Sequence, residues 1–442
     1  MTCVTAASFD RLFGVLDNLI DERVGIIRGV SELPNQAGDP EFFHYVAEAC
    51  DTTAFSAQRN FAESGGVSTD RRIAMAKAIG EAVERYCSAL YVQSELPLTS
   101  RASAPFLTVD HSQFALFTSE QYAQPECRYV PFTNNTLLRW TEATDLASQT
   151  DSHLPACMVY MPYRFDRGAG EQVITQPIST GLACHCSWAE AATSAICEVI
   201  ERDAFTITWQ ALLPAPPVRL ASLSERNRDL VARFERTGGS IRLLNLTLDH
   251  GVPCILSILA HERSTAPALT FAASAALSPE EAVRKSLEEL AHTHRAARRL
   301  KAQPHPFTPL PDYSNVTDQE THVRLYTEHP SRRSAEFLFS SEDWCDFEEL
   351  PDLSGNPPEE GLRRLVWEIV SRNHHVFVKD LTTADIKDLG LSVVRAVIPG
   401  LHPLFIGHRN RALGGFRLWT VPQALGYRGI TDQDNPAPHP YP

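Results

Sequence analysis

Three stretches of this chain repeat apolar positions at helical spacing while gathering carboxylates on the opposite face. The longest is Ser179 to Ala204, STGLACHCSWAEAATSAICEVIERDA. An extended segment and a tight turn at Gly181 are expected first. A helix then opens near Ser187, a good N-cap whose Glu190 three residues on completes a capping-box pattern. At roughly 100° per residue, Glu190, Glu198 and Glu201 fall within about 80° of one another. Ala192, Ala195, Ile196, Val199 and Ile200 spread over the other side, with Arg202 at the margin. A second helix is predicted over Arg72 to Leu90. It carries the same E-x-x-E-R string, Glu81, Glu84 and Arg85, with Lys77 one turn earlier and Met75, Ile79, Val83 and Tyr86 opposite. The third, Ser278 to Leu300, has Ser278 as cap, Pro279 at the first helical position and Glu281 closing the box. Its Glu281, Lys285, Glu288, Glu289 and His292 line one side. Alone, each reads as an amphipathic surface helix. Carboxylates on several helices are costly to bring together unless a cation neutralises them, and Mg2+ with bridging phosphates is the usual solution.

Between these helices the pattern alternates. A helical period spans Phe9 to Ile20, an extended GIIRGV covers Gly25 to Val30, and Gly65 and Gly66 are expected to turn the chain into the first acidic helix. A strand is expected near Tyr91 to Leu98; Phe106 to Tyr129 is ambiguous. Arg139 to Tyr163 reads as a meander, and prolines break the chain at Leu213 to Leu220. A helix at Glu225 to Thr237 precedes the strands IRLLNLTL and PCILSILA. Phe307 to Pro358, rich in Pro, Ser and acidic residues, is expected to be loop-dominated. A helix (Glu359 to Arg372), the strand HHVFVKDL, a short helix and the strand VVRAVIP follow, and the tail shows little regular character. Alternating strands and helices give an α/β, or mixed α+β, fold.

Composition narrows the class. At 442 residues, 43% hydrophobic and 21% charged, the chain has ample core for a globular protein. A net charge of −14 argues against a nucleic-acid surface. The ten cysteines show no C-x-x-C pair, no apolar run approaches a membrane span, and no signal segment opens the chain. A cytoplasmic protein with reduced thiols and no membrane association is expected.

Common nucleotide and hydrolase signatures are missing: there is no P-loop string, Gly168 and Gly170 lack the third glycine of a dinucleotide motif, and no G-x-S-x-G occurs. Cys184, His185 and Cys186 lack a second ligand pair for zinc and are read as a buried turn. The basic string HTHRAARRLK (His292 to Lys301) is read as a solvated helix end.

ISTGLACHCSWAEAATSAICEVIERDA, GEAVERY and SLEELAHTHR resemble the central, first and third motifs of the YcaO superfamily. DLTTADI and VVRAVIPGLHPL are further matches. The closing PAPHPYP, with Pro438, Pro440 and Pro442 in P-x-P-x-P spacing, is similar to the tail of the azoline-forming branch, as in thiazole/oxazole-modified microcin enzymes. The resemblance covers roughly Ile26 to Pro442, and divides the chain into an N-terminal segment (1–65) packed on a YcaO domain (66–442) with a Pro-rich tail (433–442). It implies that ATP and Mg2+ are bound without a P-loop. Glu81, Glu84, Glu198 and Glu201 would hold the metal, and Lys77, Arg85, Cys186, Glu190, Arg202, Glu289 and His292 would complete the nucleotide site. Lys77, Cys186 and His292 depart from the Ser, Asn and Gln common there, and His294 stands where an Arg is common.

The implied chemistry is backbone heterocyclisation in a ribosomal precursor peptide of the kind that yields bacteriocins. A Cys, Ser or Thr side chain attacks the preceding amide carbonyl, ATP phosphorylates the resulting oxygen, and phosphate loss leaves a thiazoline or (methyl)oxazoline. The stiff tail would carry the Pro442 carboxylate into the site as proton acceptor. Thioamide or amidine formation is the alternative within the fold, and a catalytically inactive scaffold or peptide-binding subunit is the alternative of another class. Only about 60 residues precede the first acidic helix, too few for a leader-binding domain. A separate leader-binding protein is therefore expected, with a homodimer and, in some systems, a flavin dehydrogenase as further partners.

Overall fold

A computed structural model of the chain describes residues 12–431 and 433–441. The helical pattern at Phe9 to Ile20 lies partly outside them; within them residues 12–14 and Leu16–Leu19 are helical. Strands β1 (Ile27–Leu33), β2 (Phe43–Ala49) and β3 (Glu63–Ser68) form an antiparallel sheet in chain order. The expected domain division at 65/66 thus falls inside β3. Helix α1 (Arg71–Ala89) starts at Asp70, whose carboxylate accepts the amides of Arg72 and Ile73. Gly65 and Gly66 do not form the expected turn; they lie in β3 because other groups pack onto it. A Cβ on Gly66 would meet the Ala74 carbonyl oxygen at 2.1 Å, and one on Gly65 would meet His292 Cε1 at 2.2 Å.

The largest sheet is drawn from the whole chain. Strands β4 (Leu98–Ser100), β5 (Leu137–Asp145), β6 (Thr150–Pro155) and β7 (Leu182–His185) join two late strands, β11 (Phe377–Asp380) and β12 (Ser392–Val397). The order is β4-β5-β11-β12-β7, with β6 paired to β5. The strand expected at Tyr91 to Leu98 begins only at Leu98. Cys184 and His185 belong to β7, not to a turn.

Helix α2 (Trp188–Gln210) begins where the Ser187 hydroxyl accepts the Glu190 amide. It is followed by α3 (Glu225–Glu235) and a third antiparallel sheet, β8 (Ser240–Asn245), β9 (Cys254–Ala260) and β10 (Leu269–Ala275). Ile196, Ile200 and Phe205 of α2 share one core with Leu256 and Phe271 on this sheet and Val394 and Ala396 on β12. Two sheets therefore sandwich α2. It is buried on nearly every side, unlike the surface helix that its sequence taken alone suggests. Helix α4 (Pro279–Lys301) covers the third sheet through Val283, Leu287 and Leu290.

The stretch from Phe307 to Pro358 is more structured than its composition suggests. It contains α5 (Gln319–Tyr326), capped by Asp318, and a run of 3₁₀ turns at His329–Phe339. Helix α6 (Pro358–Val370) leads to β11, and α7 (Phe416–Ala424), not expected in the tail, packs its Leu418 and Val421 against Ile207 of α2.

Candidate active site

The two E-x-x-E-R strings build the same local arrangement twice. On α1, Glu81 accepts the Gly65 amide at 2.8 Å and pairs with Arg85 at 3.1 Å, and Arg85 also reaches Glu84 at 3.1 Å. On α2, Glu198 accepts the Gly181 amide at 3.1 Å and pairs with Arg202 at 3.4 Å, and Arg202 approaches Glu201 at 3.5 Å. In both, a glycine amide reaches the first carboxylate, from within the strand leading to the helix for Gly65 and from the turn just before that strand for Gly181. Gly181 has φ +85, and a Cβ there would meet the Ala396 oxygen at 2.4 Å, so β7 and β12 close on each other only at a glycine.

The two sets face one another. Burial pushes the Glu84 carboxyl up to about 8; Arg85 opposes this, while Glu198 and Glu81 beside it add to the rise. Burial likewise pushes Glu201 up to about 7, against the attraction of Arg202 and a hydrogen bond from Tyr441. Four carboxylates and two arginines thus share one neighbourhood, and Arg395 of β12 joins them. Arg395 is 5% exposed, and its Nε and Nη1 are buried with no hydrogen-bond partner. Its field acts on Glu84, and Glu198 and Glu84 act on it in turn. The sequence signal for Arg395 is a lone cation inside the apolar strand VVRAVIP.

The other expected site residues divide. Glu190 sits eight residues, or about 12 Å of axis, before Glu198, where it accepts from Ser187 Oγ at 2.7 Å and lies 2.9 Å from His185 Nδ1. Lys77 reaches buried Glu288 on α4 at 2.7 Å, and Glu288 also takes Arg284 at 2.5 Å and the Ser68 hydroxyl at 2.8 Å. Lys77 therefore ties α1 to α4. Those cations hold Glu288, despite its burial, down to about 2. His292 packs on Gly65, and with Glu81 it lines a cleft of about 1120 Å³ that also includes Ser64, Glu63 and Arg295. Glu289 is exposed on α4, within the field of Arg202. Cys186 is half-buried at the β7–α2 junction, where its amide donates to His185 Nδ1 at 2.9 Å.

The tail reaches this cluster. Trp209 Nε1 donates to the Ala437 carbonyl at 3.0 Å, the Tyr326 hydroxyl to that of Pro438 at 2.6 Å, and His322 Nδ1 to that of His439 at 2.7 Å. His439 Nε2 in turn donates to the Phe405 carbonyl at 2.6 Å. At the end of this strap the Tyr441 hydroxyl donates to Glu201 at 2.5 Å, and Arg202 stacks over the Tyr441 ring at 4.4 Å. Pro442, the expected proton acceptor, lies outside the described residues.

Among the described residues no three His, Cys, Asp or Glu side chains are gathered closely enough to cage a metal. The donor set still fits Mg2+, which keeps its waters and takes one or two carboxylates plus phosphate oxygens. Burial holds Glu84 and Glu201 toward protonation, which a bound cation would reverse, and Arg395 offers unpaired donors to an anion. Among the same residues no helix is long and apolar enough to cross a membrane.

The family model described as YcaO cyclodehydratase, ATP- and Mg2+-binding, matches residues 65–402, and the chain belongs to the YcaO family; ATP and Mg2+ are its cofactors. An uncharacterized protein of Methanothermobacter thermautotrophicus is 26% identical over 377 residues, 81% of this chain and 89% of that one. A heterocyclase solved in complex with substrate and cofactor superposes with TM-score 0.78 at 22% identity, covering 97% of this chain but 57% of its own. The chain thus spans little more than half the length of that heterocyclase. YcaO from Methanopyrus kandleri, bound with AMPPCP and Mg2+, gives TM-score 0.66 at 19% identity, covering 91% of this chain and 93% of that one. At these identities the structural likeness concerns the fold.

Proposed function

We propose that the protein is an ATP-dependent cyclodehydratase that forms thiazoline or (methyl)oxazoline rings from Cys, Ser or Thr in a ribosomally made peptide. The observation that carries this is the strap: a proline-spaced tail, buried along α2, ends with Tyr441 on Glu201 inside the carboxylate–arginine cluster. Thioamide or amidine formation has no comparable use for it.

Glu81, Glu84, Glu198 and Glu201 would hold Mg2+, and the cleft beside Glu81 and His292 would receive the nucleotide. Bound ATP supplies the phosphoryl group that turns the amide-derived oxygen into a leaving group. The chain's own residues do the rest. Arg85 and Arg202 orient the carboxylates and pair with phosphate oxygens. Arg395 donates to the oxygen that was the amide carbonyl as charge develops on it in a buried, low-dielectric place. When the C–O bond breaks and phosphate leaves, the ring nitrogen loses its proton to become C=N. The Pro442 carboxylate, one residue beyond Tyr441, is the acceptor we assign on the resemblance. A leader-binding partner protein would deliver the peptide.

The test is phosphate release by the purified protein, with its partner, on addition of a Cys-, Ser- and Thr-rich precursor peptide. One water mass should be lost per phosphate released. Phosphate release without any loss of water from the peptide would remove the heterocyclase reading.

A further inference from the structure

Arg202 and Arg395 also line a second cavity, which shares no lining residue with the His292 cleft. It measures about 130 Å³ and is walled by Phe114, Phe117, Met158, Ile178, Leu401 and Phe405. No carboxylate lines it.

We propose that this pocket seats the side chain of the residue immediately preceding the ring-forming Cys, Ser or Thr, and that it selects an apolar side chain of leucine or phenylalanine size. The inference rests on the cyclodehydratase reading and names the substrate class of that site. The carbonyl under attack belongs to the preceding residue, so the oxygen that must reach the arginines and that residue's side chain share one α-carbon. A carbonyl oxygen held at Arg395 therefore leaves its side chain within reach of the cavity that Arg395 lines.

Arg395 supplies the independent sign of a ligand here. A buried guanidinium with two nitrogens unpaired is costly, because each donor has lost water without gaining an acceptor. An oxygen carrying developing negative charge is the acceptor it lacks. Size and polarity then choose the side chain. The cavity of about 130 Å³ is mostly apolar, with Thr175, Gln176, Thr180 and Asn410 as the polar breaks in its wall, and has room for one side chain of leucine or phenylalanine size.

The walls are also held still. The His402 amide donates to buried Asp203 at 2.6 Å, and Arg417 grips that same carboxylate at 2.7 Å. Phe405 is tied through its carbonyl to His439 of the strap. A pocket fixed before binding discriminates by shape without an ordering cost.

Five peptides, Ac-Gly-Ser-Xaa-Cys-Gly-NH2 with Xaa as Phe, Leu, Gly, Asp or Lys, test this. Their affinity for the purified full chain, in the presence of AMPPCP and Mg2+, would be read by saturation-transfer NMR. Leu and Phe should bind at least about tenfold more tightly than Gly, as expected for burying one such side chain, with Asp and Lys weakest. Met158→Trp and Ile178→Trp, each at a half-buried wall, should abolish that preference; two variants guard against misfolding of one. Equal affinity across the five, a preference for Asp or Gly, or no measurable binding by any of them overturns the pocket assignment. Binding of a fluorescent ATP analogue to the same samples reports the nucleotide site separately. A wild-type chain that ranks the peptides as stated but binds no nucleotide would keep the pocket and lose the cyclodehydratase reading.

Discussion

Replacing Glu84 by Gln separates what the carboxylate costs the fold from what it does for the reaction. In the free protein, burial raises the Glu84 carboxyl from 4.5 to about 8. The folded state therefore holds this proton more tightly than the unfolded chain does. Such a group stabilises the fold fully below pH 4.5, and that contribution is lost as pH rises toward 8. Each tenfold in proton affinity is about 1.4 kcal/mol, so between pH 4.5 and 8 the native state gives up about 4 kcal/mol on this side chain, an order-of-magnitude figure. Gln keeps the shape, carries no charge and cannot titrate. It gives up the 3.1 Å contact with Arg85, a loss of about 1–3 kcal/mol. The variant should therefore be similar to or less stable than wild type at pH 5 and more stable at pH 8. Its relative stability should climb with pH across the whole window. Chemical denaturation of both proteins at pH 5, 6, 7 and 8 without nucleotide or Mg2+ measures this, and phosphate release measures the functional loss. A stability difference that stays flat from pH 5 to 8 would show that Glu84 is not held protonated, and would refute the argument that the cluster awaits a cation.

Three further outcomes are expected. Arg395→Met removes a buried, unpaired charge, so unfolding should need more denaturant than in wild type while peptide-dependent phosphate release falls by about a hundredfold or more; wild-type turnover in the variant would remove Arg395 from the site. Tyr441→Phe deletes one hydrogen bond to Glu201 and should cost about 1–2 kcal/mol of stability at pH 8, where that carboxylate is charged; an unchanged denaturation midpoint at that pH would mean the strap's end does not bear on Glu201. Adding one residue after Pro442 should abolish ring formation while ATP-analogue binding persists, and cyclisation at the wild-type rate by that variant would leave the strap a structural element only.

The local elements were legible because their causes are local. Apolar spacing, the Ser187 cap and the proline at the first position of α4 are written within a few residues of where they act, and α1, α2 and α4 fall close to where the pattern puts them. The repeated E-x-x-E-R string likewise carries its own ion pairs at one-turn spacing. What the pattern could not fix is which carboxylate meets which partner. Glu190 shares a helical face with Glu198, yet its partner is His185, which the strand β7 places beside it. Lys77 is bound by Glu288, 211 positions away, and Glu201 by Tyr441, 240 positions away. Arg395 comes within the field of Glu84 and Glu198 because β12 pairs beside β7. The segment from Phe307 to Pro358 looked like loop because α5 is short and marginal by itself; it is ordered by burying His322 and Tyr326 against the tail. Periodicity and capping are properties of neighbouring residues, and they set the helices. Charge pairing and burial are properties of neighbours in space, and only the packed sheets decided them.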